Sequence, residues 1–587
     1  MNRSVSLSQQ IYETLTSDEY SRVVWFLLAF ATVLIFLGIG LRSPWPADEP
    51  RFAEVAREMV DSGQWLIPMR GGEPYPDKPP VFMWSIAFFY WLTGSLKAGF
   101  LLPNAICGLI TAFLVFDLGA RLWSVRVGRN AMLLLLLVPQ FIVQAKSAQI
   151  DMMVACWITI GCYGLLRHFL AGPAWGWYFV AWAFMGLGII TKGVGFLPAL
   201  MMIPVLYLAW RRKGSLAVSP TWTCLLGPVV MLLVAAAWLV PMVLYVDASG
   251  SEMFMQYRDN ILFKQTAERY AHSWGHIQPW YYFIANVIPS LWFPLPLMLL
   301  AGLGRLREAW RNEPGVFLML GWIVLVVFFF SMSPGKRGVY ILPALPMFAL
   351  SLSVMYTGYP LARWFRPLMG GLQALLGVVL ITVGVLAWCN LPRLVEKAAD
   401  YTKDLGQLHE AGSVLIVAGL IWLLSLFFLR KQHALLRLLV AMSLTWALLS
   451  TWGYSVLEPF RTPRNVLANV ESTVAGEPDA ELGLIEFKEQ FILFSKMDVT
   501  QFGYFNPPQV QERTAWQWMK AAEHRYVLVS SREKLDCFRM QDGQPMGVAH
   551  SETWILLSRD AMTPTCPAPN PDKRKVFTTP NPGRWLD

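Results

Sequence analysis

Residues 43–80, SPWPADEPRFAEVAREMVDSGQWLIPMRGGEPYPDKPP, form the first long polar interruption in an otherwise apolar chain. They follow one apolar run and carry Asp48, Glu49, Arg51, Arg70, Asp77 and Lys78. A connection this rich in charge and proline, placed this early beside a bilayer, is where chemistry is expected. Asp48, Glu49 and Pro50 read as a helix start, with a carboxylate at the cap and proline in the first turn. Phe52, Val55, Ala56, Met59 and Val60 then recur at helical spacing opposite Arg51, Glu54, Arg57, Glu58 and Asp61, and Gly63 closes the run. The pattern predicts an amphipathic helix lying in the membrane interface. A cap is the ordinary explanation of Asp48 and competes with a chemical role.

Working outward, hydrophobic residues make up 55% of 587 and charged residues 15%, which excludes a soluble globular chain. Apolar runs of membrane length repeat along the sequence and require a polytopic membrane protein. The run Arg22 to Leu41 is too long for a signal peptide and lacks a small-residue cleavage site, so it reads as an uncleaved span. The formal charge of +9 lies in short loops between spans, a mark of topology and of anionic lipid rather than of nucleic acid.

Spans are expected at 22–42, 99–120, 130–146, 151–171, 176–191, 194–210, 223–246, 280–303, 315–333, 337–358, 368–389, 412–429 and 434–453. The apolar segment between Pro80 and Gly94 is too short to cross and reads as interfacial or re-entrant. Counted this way, Arg121, Arg126, Arg129, Arg167, Arg211, Arg212, Lys213, Arg305, Arg307, Arg311, Arg363, Arg366, Arg430, Lys431 and Arg437 share one side with the amino terminus. By the positive-inside rule that side is the cytoplasm. The loop 43–98, the turns at Asp151, Lys192 and Lys336, the loop 247–279 and everything after 454 then face outward.

The expected fold is a polytopic all-α membrane domain, residues 1–454, with about 13 spans plus interfacial helices, followed by a small soluble α/β domain, residues 455–587. In the tail, 464–474 and 509–523 look helical, and Leu482 to Phe487, Arg525 to Ser530 and Thr553 to Ser558 look like strands. The last twenty or so residues look loosely ordered. Cys107, Cys156, Cys162, Cys224 and Cys389 lie in or beside apolar runs as small core residues. Cys537 and Cys566, in the tail, suit a disulfide if it meets an oxidising compartment.

Other outward features compete for a role. Asp151 stands at the mouth of a span, where it either starts a helix or faces protein, positioning the first-loop helix through Arg51 or Arg57. Lys192, between Thr191 and Gly193, and Lys336 and Arg337, in Ser333-Pro334-Gly335-Lys336-Arg337-Gly338-Val339-Tyr340, run against the positive-inside bias. They read as headgroup contacts or as phosphate ligands, a use to which Lys and Arg beside flexible glycine are suited. Lys78 fits a lipid-phosphate contact for the same reason. The 247–279 loop carries Arg258, Lys264 and Arg269, consistent with a lid. His272 and His276 share a helical spacing and, with Asp77 or Glu268, invite a metal site, though no HExxH accompanies them.

The Asp-Glu pair with RFAEVAREMVDSGQWLIP, then YPDKPP, AKSAQIDMM, the TKG turn and SPGKRGVYILPALP resembles the C-type, polyprenyl-phosphate-dependent glycosyltransferases related to protein O-mannosyltransferases. Within them it is most similar to the bacterial lipid A aminoarabinose transferases. The likeness is strong over residues 20–360 and one of layout beyond. Where many relatives read Glu-Lys-Pro, this chain has Asp77-Lys78-Pro79, a shorter carboxylate. The resemblance implies transfer of 4-amino-4-deoxy-L-arabinose from undecaprenyl phosphate to lipid A phosphates at the outer face of a bacterial inner membrane, and with it polymyxin resistance. It implies Asp48 as the catalytic or substrate-orienting carboxylate, and Asp151, from its place at the span mouth, is counted with it as a candidate catalytic residue. By the same match Lys78 is the donor-phosphate ligand, and Arg51, Lys192, Lys336, Arg337 and Tyr340 join it as candidate donor-phosphate and lipid ligands. No cofactor is required by the residues, a divalent metal is an option, and a monomer is expected. A relative acting on protein or another envelope lipid is the alternative enzyme. A lipid flippase is the alternative of another class, disfavoured because the charges gather at the outer surface and not in mid-span.

Overall fold

The computed structural model describes residues 18–212, 214–263, 276–399, 404–477, 479–486, 488–580 and 583. Among these, eight helices are long and apolar enough to cross a bilayer: Leu96–Leu122, Ile150–Ala171, Trp222–Ser249, Pro314–Met332, Gly338–Tyr356, Phe365–Trp388, Leu405–Phe428 and Ala434–Arg461. The pair Val125–Leu137 and Pro139–Ala145, bent by 76°, makes a ninth if taken as one span. Pro139 cannot continue the ladder of the preceding helix and starts a new one instead. Tyr20–Phe36 and Leu197–Arg211 are shorter apolar helices, and Val81–Thr93, expected to be interfacial or re-entrant, is a helix of 13 residues. That is about 20 Å of helix against a hydrocarbon core of about 30 Å.

The 280–303 segment departs from expectation. It is not one continuous span: a π-helical turn, Phe283–Val287, runs into Ile288–Leu291, and a break at 292–294 precedes Leu295–Leu300. Pro289, Pro294 and Pro296 remove backbone donors at short intervals, which breaks the ladder there. Elsewhere the outer helices present large apolar side chains outward, such as Leu232 and Leu233 on Trp222–Ser249 and Phe427 and Phe428 on Leu405–Phe428, the surface that lipid tails cover in a multi-pass membrane protein.

Two short strands, β1 (Met69–Arg70) and β2 (Glu73–Pro74), make a hairpin in the first loop. The tail carries β3 (Glu481–Leu484), β4 (Val499–Gln501), β5 (Arg525–Ser530), β6 (Gln544–Ala549), β7 (Glu552–Leu557) and β8 (Phe577–Thr579) in one sheet of order β6-β7-β5-β3-β4-β8. β3 pairs parallel with both β4 and β5, and the other pairings are antiparallel. Helices Glu489–Phe494 and Pro508–Lys520 make the crossovers. The two-residue side-chain period sorts the sheet's faces. Leu482, Leu484 and Leu528 join the core shared with the membrane bundle, and Val527, Val529 and Leu557 join a second core around Trp518 and Phe502.

Within the stretch expected to be loosely ordered, Phe577–Thr579 pairs with β4 as an edge strand. Phe577 also covers the first-loop hairpin, where a Cβ on Gly72 would meet its ring at 2.8 Å. Only glycine admits that approach at φ +83°. Cys537 and Cys566 are joined by a disulfide. Of the remaining cysteines, Cys107, Cys156, Cys162 and Cys224 are buried, while Cys389, expected in the core, is exposed.

Candidate active site

The first-loop helix is Glu49–Ser62, with Pro50 in its first turn and Gly63 closing it in the left-handed conformation. Its charged face is not open to solvent as the amphipathic pattern implies, because Glu54 and Arg57 are 0% and 3% exposed. Arg57 grips Glu54 at 2.6 and 3.0 Å and Asp61 at 2.6 Å. Glu58 accepts the amides of Gly71 and Gly72 from the hairpin folded over that face. Burial and the neighbouring Glu54 raise the Glu58 carboxyl to about 8.

The adjacent acids of the Asp-Glu pair differ in surroundings. Glu49 is buried and fully engaged, with Arg42 at 2.5 and 2.7 Å, the Trp45 amide at 2.8 Å and the Ala148 amide at 2.9 Å. It ties the first loop to the turn that leads into Asp151. Asp48 occupies the cap position, yet its side chain makes no capping hydrogen bond. Its carboxylate, 20% exposed, turns to Arg337 at 3.3 Å and lies 3.9 Å from Arg51.

Beside this pair is a cavity of ≈ 220 Å³ whose lining includes Asp77, Lys78, Asp151, Lys192, Trp238, Phe330, Ser333, Gly335 and Tyr340. Four stretches far apart in sequence therefore converge: the YPDKPP turn, the mouth of Ile150–Ala171, the Lys192 turn and the 333–343 segment. Lys78 donates to the Asp77 carbonyl at 2.9 Å. Asp151 is ion-paired with Lys192, whose ammonium lies 5.0 Å from the Tyr340 ring. Tyr340 packs in turn on Phe330 at 5.6 Å. Polar groups thus meet apolar walls of Val154, Ile189, Leu239 and Ile261, the composition expected where a lipid carries a charged head. Asp48 and Arg337 are not in this lining, and Arg337 sits two residues beyond Gly335.

Several expectations change. Asp151 pairs with Lys192 and not with Arg51 or Arg57, because Arg57 is consumed within its own helix and Arg51 reaches Glu489 at 3.0 Å. Lys336, expected at a phosphate, is 4% exposed and gives its ammonium to the carbonyls of Ser333 at 2.5 Å and Gln278 at 2.9 Å. With the backbone bridge between Ile277 and Gly335, it fastens the end of the 247–279 loop to the 333–337 turn. Arg258 is paired with Asp247 and Asp259. Lys264, Arg269, Glu268 and His272 lie outside the described residues. Of the other expected metal ligands, Asp77 lines the cavity and His276 is exposed, and among the described residues no three His, Cys, Asp or Glu side chains gather as a metal site.

Nothing in the sequence singled out Arg42, Tyr504 or Glu489, whereas Arg70 and Tyr75 belong to the first loop quoted above. Arg70 is 2% exposed, lies 3.5 Å over the Tyr504 ring and 5.1 Å from that of Tyr75, and bonds Glu489 at 2.9 Å. Arg42, Tyr504 and Glu489 sit in none of the motifs named above.

The family model described as dolichyl-phosphate-mannose-protein mannosyltransferase matches residues 77–240. The undecaprenyl phosphate-alpha-4-amino-4-deoxy-L-arabinose arabinosyl transferase of Pseudomonas aeruginosa (strain UCBPP-PA14) is 29% identical over 474 residues, 76% of this chain and 77% of that protein. The protein of the same name from Enterobacter sp. (strain 638) is 26% identical over 584 residues, 95% of this chain and 97% of the other. Among solved structures, the fold is similar to that of ArnT from Cupriavidus metallidurans bound to undecaprenyl phosphate, with a TM-score of 0.65 and 20% identity over 93% of this chain and 100% of that one.

Proposed function

We propose that the chain, similar over three quarters of its length to a bacterial undecaprenyl phosphate–aminoarabinose arabinosyl transferase, is a C-type glycosyltransferase that moves 4-amino-4-deoxy-L-arabinose from undecaprenyl phosphate to phosphate groups of lipid A. It works as a monomer in the inner membrane, with its cavity and tail facing the periplasm, and the product resists polymyxin and other cationic peptides. The observation that carries this reading is the convergence of Lys78, Lys192, Asp151 and Tyr340 on an apolar-walled cavity next to the Asp48–Arg337 pair.

In the reaction, an acceptor phosphate oxygen attacks the anomeric carbon as the bond from that carbon to the donor phosphate breaks. The electron pair leaves with undecaprenyl phosphate, and a single displacement inverts the centre. An acceptor phosphate monoester, with its second pKa of about 6, is already largely ionised near neutrality and needs no strong base. Asp48 therefore holds the donor sugar, through its cationic amine, or orients the attacking phosphate. Lys78 and Arg337 stabilise the charge growing on the leaving phosphate. Asp151 fixes Lys192 beside Tyr340.

The test incubates the purified protein with lipid A and labelled aminoarabinosyl lipid and follows lipid A by mass. Gain of one aminopentose per modified phosphate supports the reading, and label appearing on protein or another lipid replaces it. Activity lost to a chelator and restored by a divalent ion would hand the charge-stabilising role to a metal.

A further inference from the structure

We propose that the C-terminal domain is a working part of the glycosyl-transfer site, with Glu489 as the residue that positions Arg51 against Asp48; the inference rests on the glycosyltransferase reading above. Glu489, its side chain 8% exposed, lies in the crossover helix after β3, more than four hundred residues along the chain from the first loop. One of its oxygens accepts from Arg51 Nε at 3.0 Å and from Arg70 Nη1 at 2.9 Å.

Two guanidinium groups brought this close repel each other, and a shared buried carboxylate removes that penalty with charge-assisted bonds. The consequence is directional. The Nε edge of Arg51 is taken by Glu489, so the guanidinium is fixed with Nη1 3.9 Å from Asp48. Asp48 is thereby flanked by two cations held from different parts of the molecule, Arg51 by the tail and Arg337 by the membrane bundle.

The residues just before Asp48 are gripped by the end of the last long helix, Ala434–Arg461, which leads into the C-terminal domain. Glu458 accepts the Ser43 amide at 3.2 Å and the Trp45 indole N–H at 2.8 Å. Arg461 donates to the Pro46 carbonyl at 3.0 Å. The approach to Asp48 and the first turn beyond it therefore take their shape from groups between 458 and 489. An active-site loop without regular structure of its own needs such an external hold to keep a carboxylate within the tolerance that catalysis demands.

The test compares the full-length protein with Glu489→Gln, Glu489→Asp, Arg51→Ala and the Glu489→Gln/Arg51→Ala double variant. Glu489→Gln is expected to lower kcat for sugar transfer about tenfold or more, with KM for the lipid donor within about twofold. With Arg51 already removed, Glu489→Gln should cost less in kcat than it does alone, since part of its effect runs through that contact. Backbone amide exchange over 43–51 should accelerate in Glu489→Gln and recover in Glu489→Asp, which keeps the charge, while Leu96–Leu122 keeps its protection. Effects on kcat that multiply in the double variant, or exchange over 43–51 that does not change, would overturn the proposal. The exchange arm needs no substrate, so a wild-type protein that transfers nothing to lipid A would fail the functional reading while the positioning is still decided.

Discussion

The guanidinium of Arg337 stands 3.3 Å from the carboxylate of Asp48, joining the turn after Pro314–Met332 to the start of the first-loop helix. Because Asp48 makes no capping bond, its charge is not spent on the helix. Asp48→Asn is expected to change thermal stability little, within about 0.5 kcal/mol, yet to lower kcat by two orders of magnitude or more (about 100-fold). Transfer rates and melting curves on the same preparation check this, and near wild-type turnover would remove Asp48 from the chemistry.

Arg337 itself is 41% exposed, so its pairing with Asp48 contributes little to stability, about 0–1 kcal/mol. Arg337→Ala should therefore melt like the wild type while turning over more slowly. A variant that loses stability and activity in parallel would mark Arg337 as a structural residue instead.

The Asp151–Lys192 pair behaves differently because it is largely enclosed, with side chains 12% and 14% exposed. Lys192→Met leaves a carboxylate without its cation, and the expected loss is about 3 kcal/mol. Adding Asp151→Asn should restore most of that stability without restoring activity. Melting temperatures of the two single variants and the double variant form the cycle, and additive losses would show that the pair does not act as a unit.

What the sequence made legible, and what it did not, follows from how each signal arises. Helix positions and the strands at Arg525–Ser530 and Glu552–Leu557 show through periodicity, which is local. The first-loop helix was visible for the same reason, but its charged face reads as solvent-exposed until the hairpin and Glu58 are placed on it. Cations against the positive-inside bias pointed to Lys192, Lys336 and Arg337 alike. Only packing separates Lys336, bound to backbone carbonyls, from Lys192 in the cavity lining. Partners hundreds of residues apart, such as Arg51 and Glu489, leave no trace in spacing or composition.

Cys537 and Cys566 close a loop with a sequence separation of 29 within the tail. Chain-entropy arguments put the contribution of such a bond at about 3–4 kcal/mol. Reduction, or Cys566→Ser, should destabilise the tail by roughly that amount while the membrane bundle melts as before. Limited proteolysis with and without reductant reads the difference, and unchanged cleavage rates would show that the second core around Trp518 suffices.

The tail should also weaken in acid through His550. Burial, then Lys488 and Arg461, holds this imidazole down at about 4, with Glu552 opposing them. Its Nε2 is buried without a hydrogen-bond partner, so protonation would place an extra cation beside two existing ones. In the unfolded chain the same group titrates near its ordinary value of about 6.5. A depressed folded value means that the stabilising contribution is complete above about 6.5 and is lost as pH falls towards about 4, where the native state must also take up the proton. Unfolding of the tail followed between those limits should therefore steepen with acidity in the wild type and flatten in His550→Gln. An equal slope in both proteins would assign the acid sensitivity to other groups.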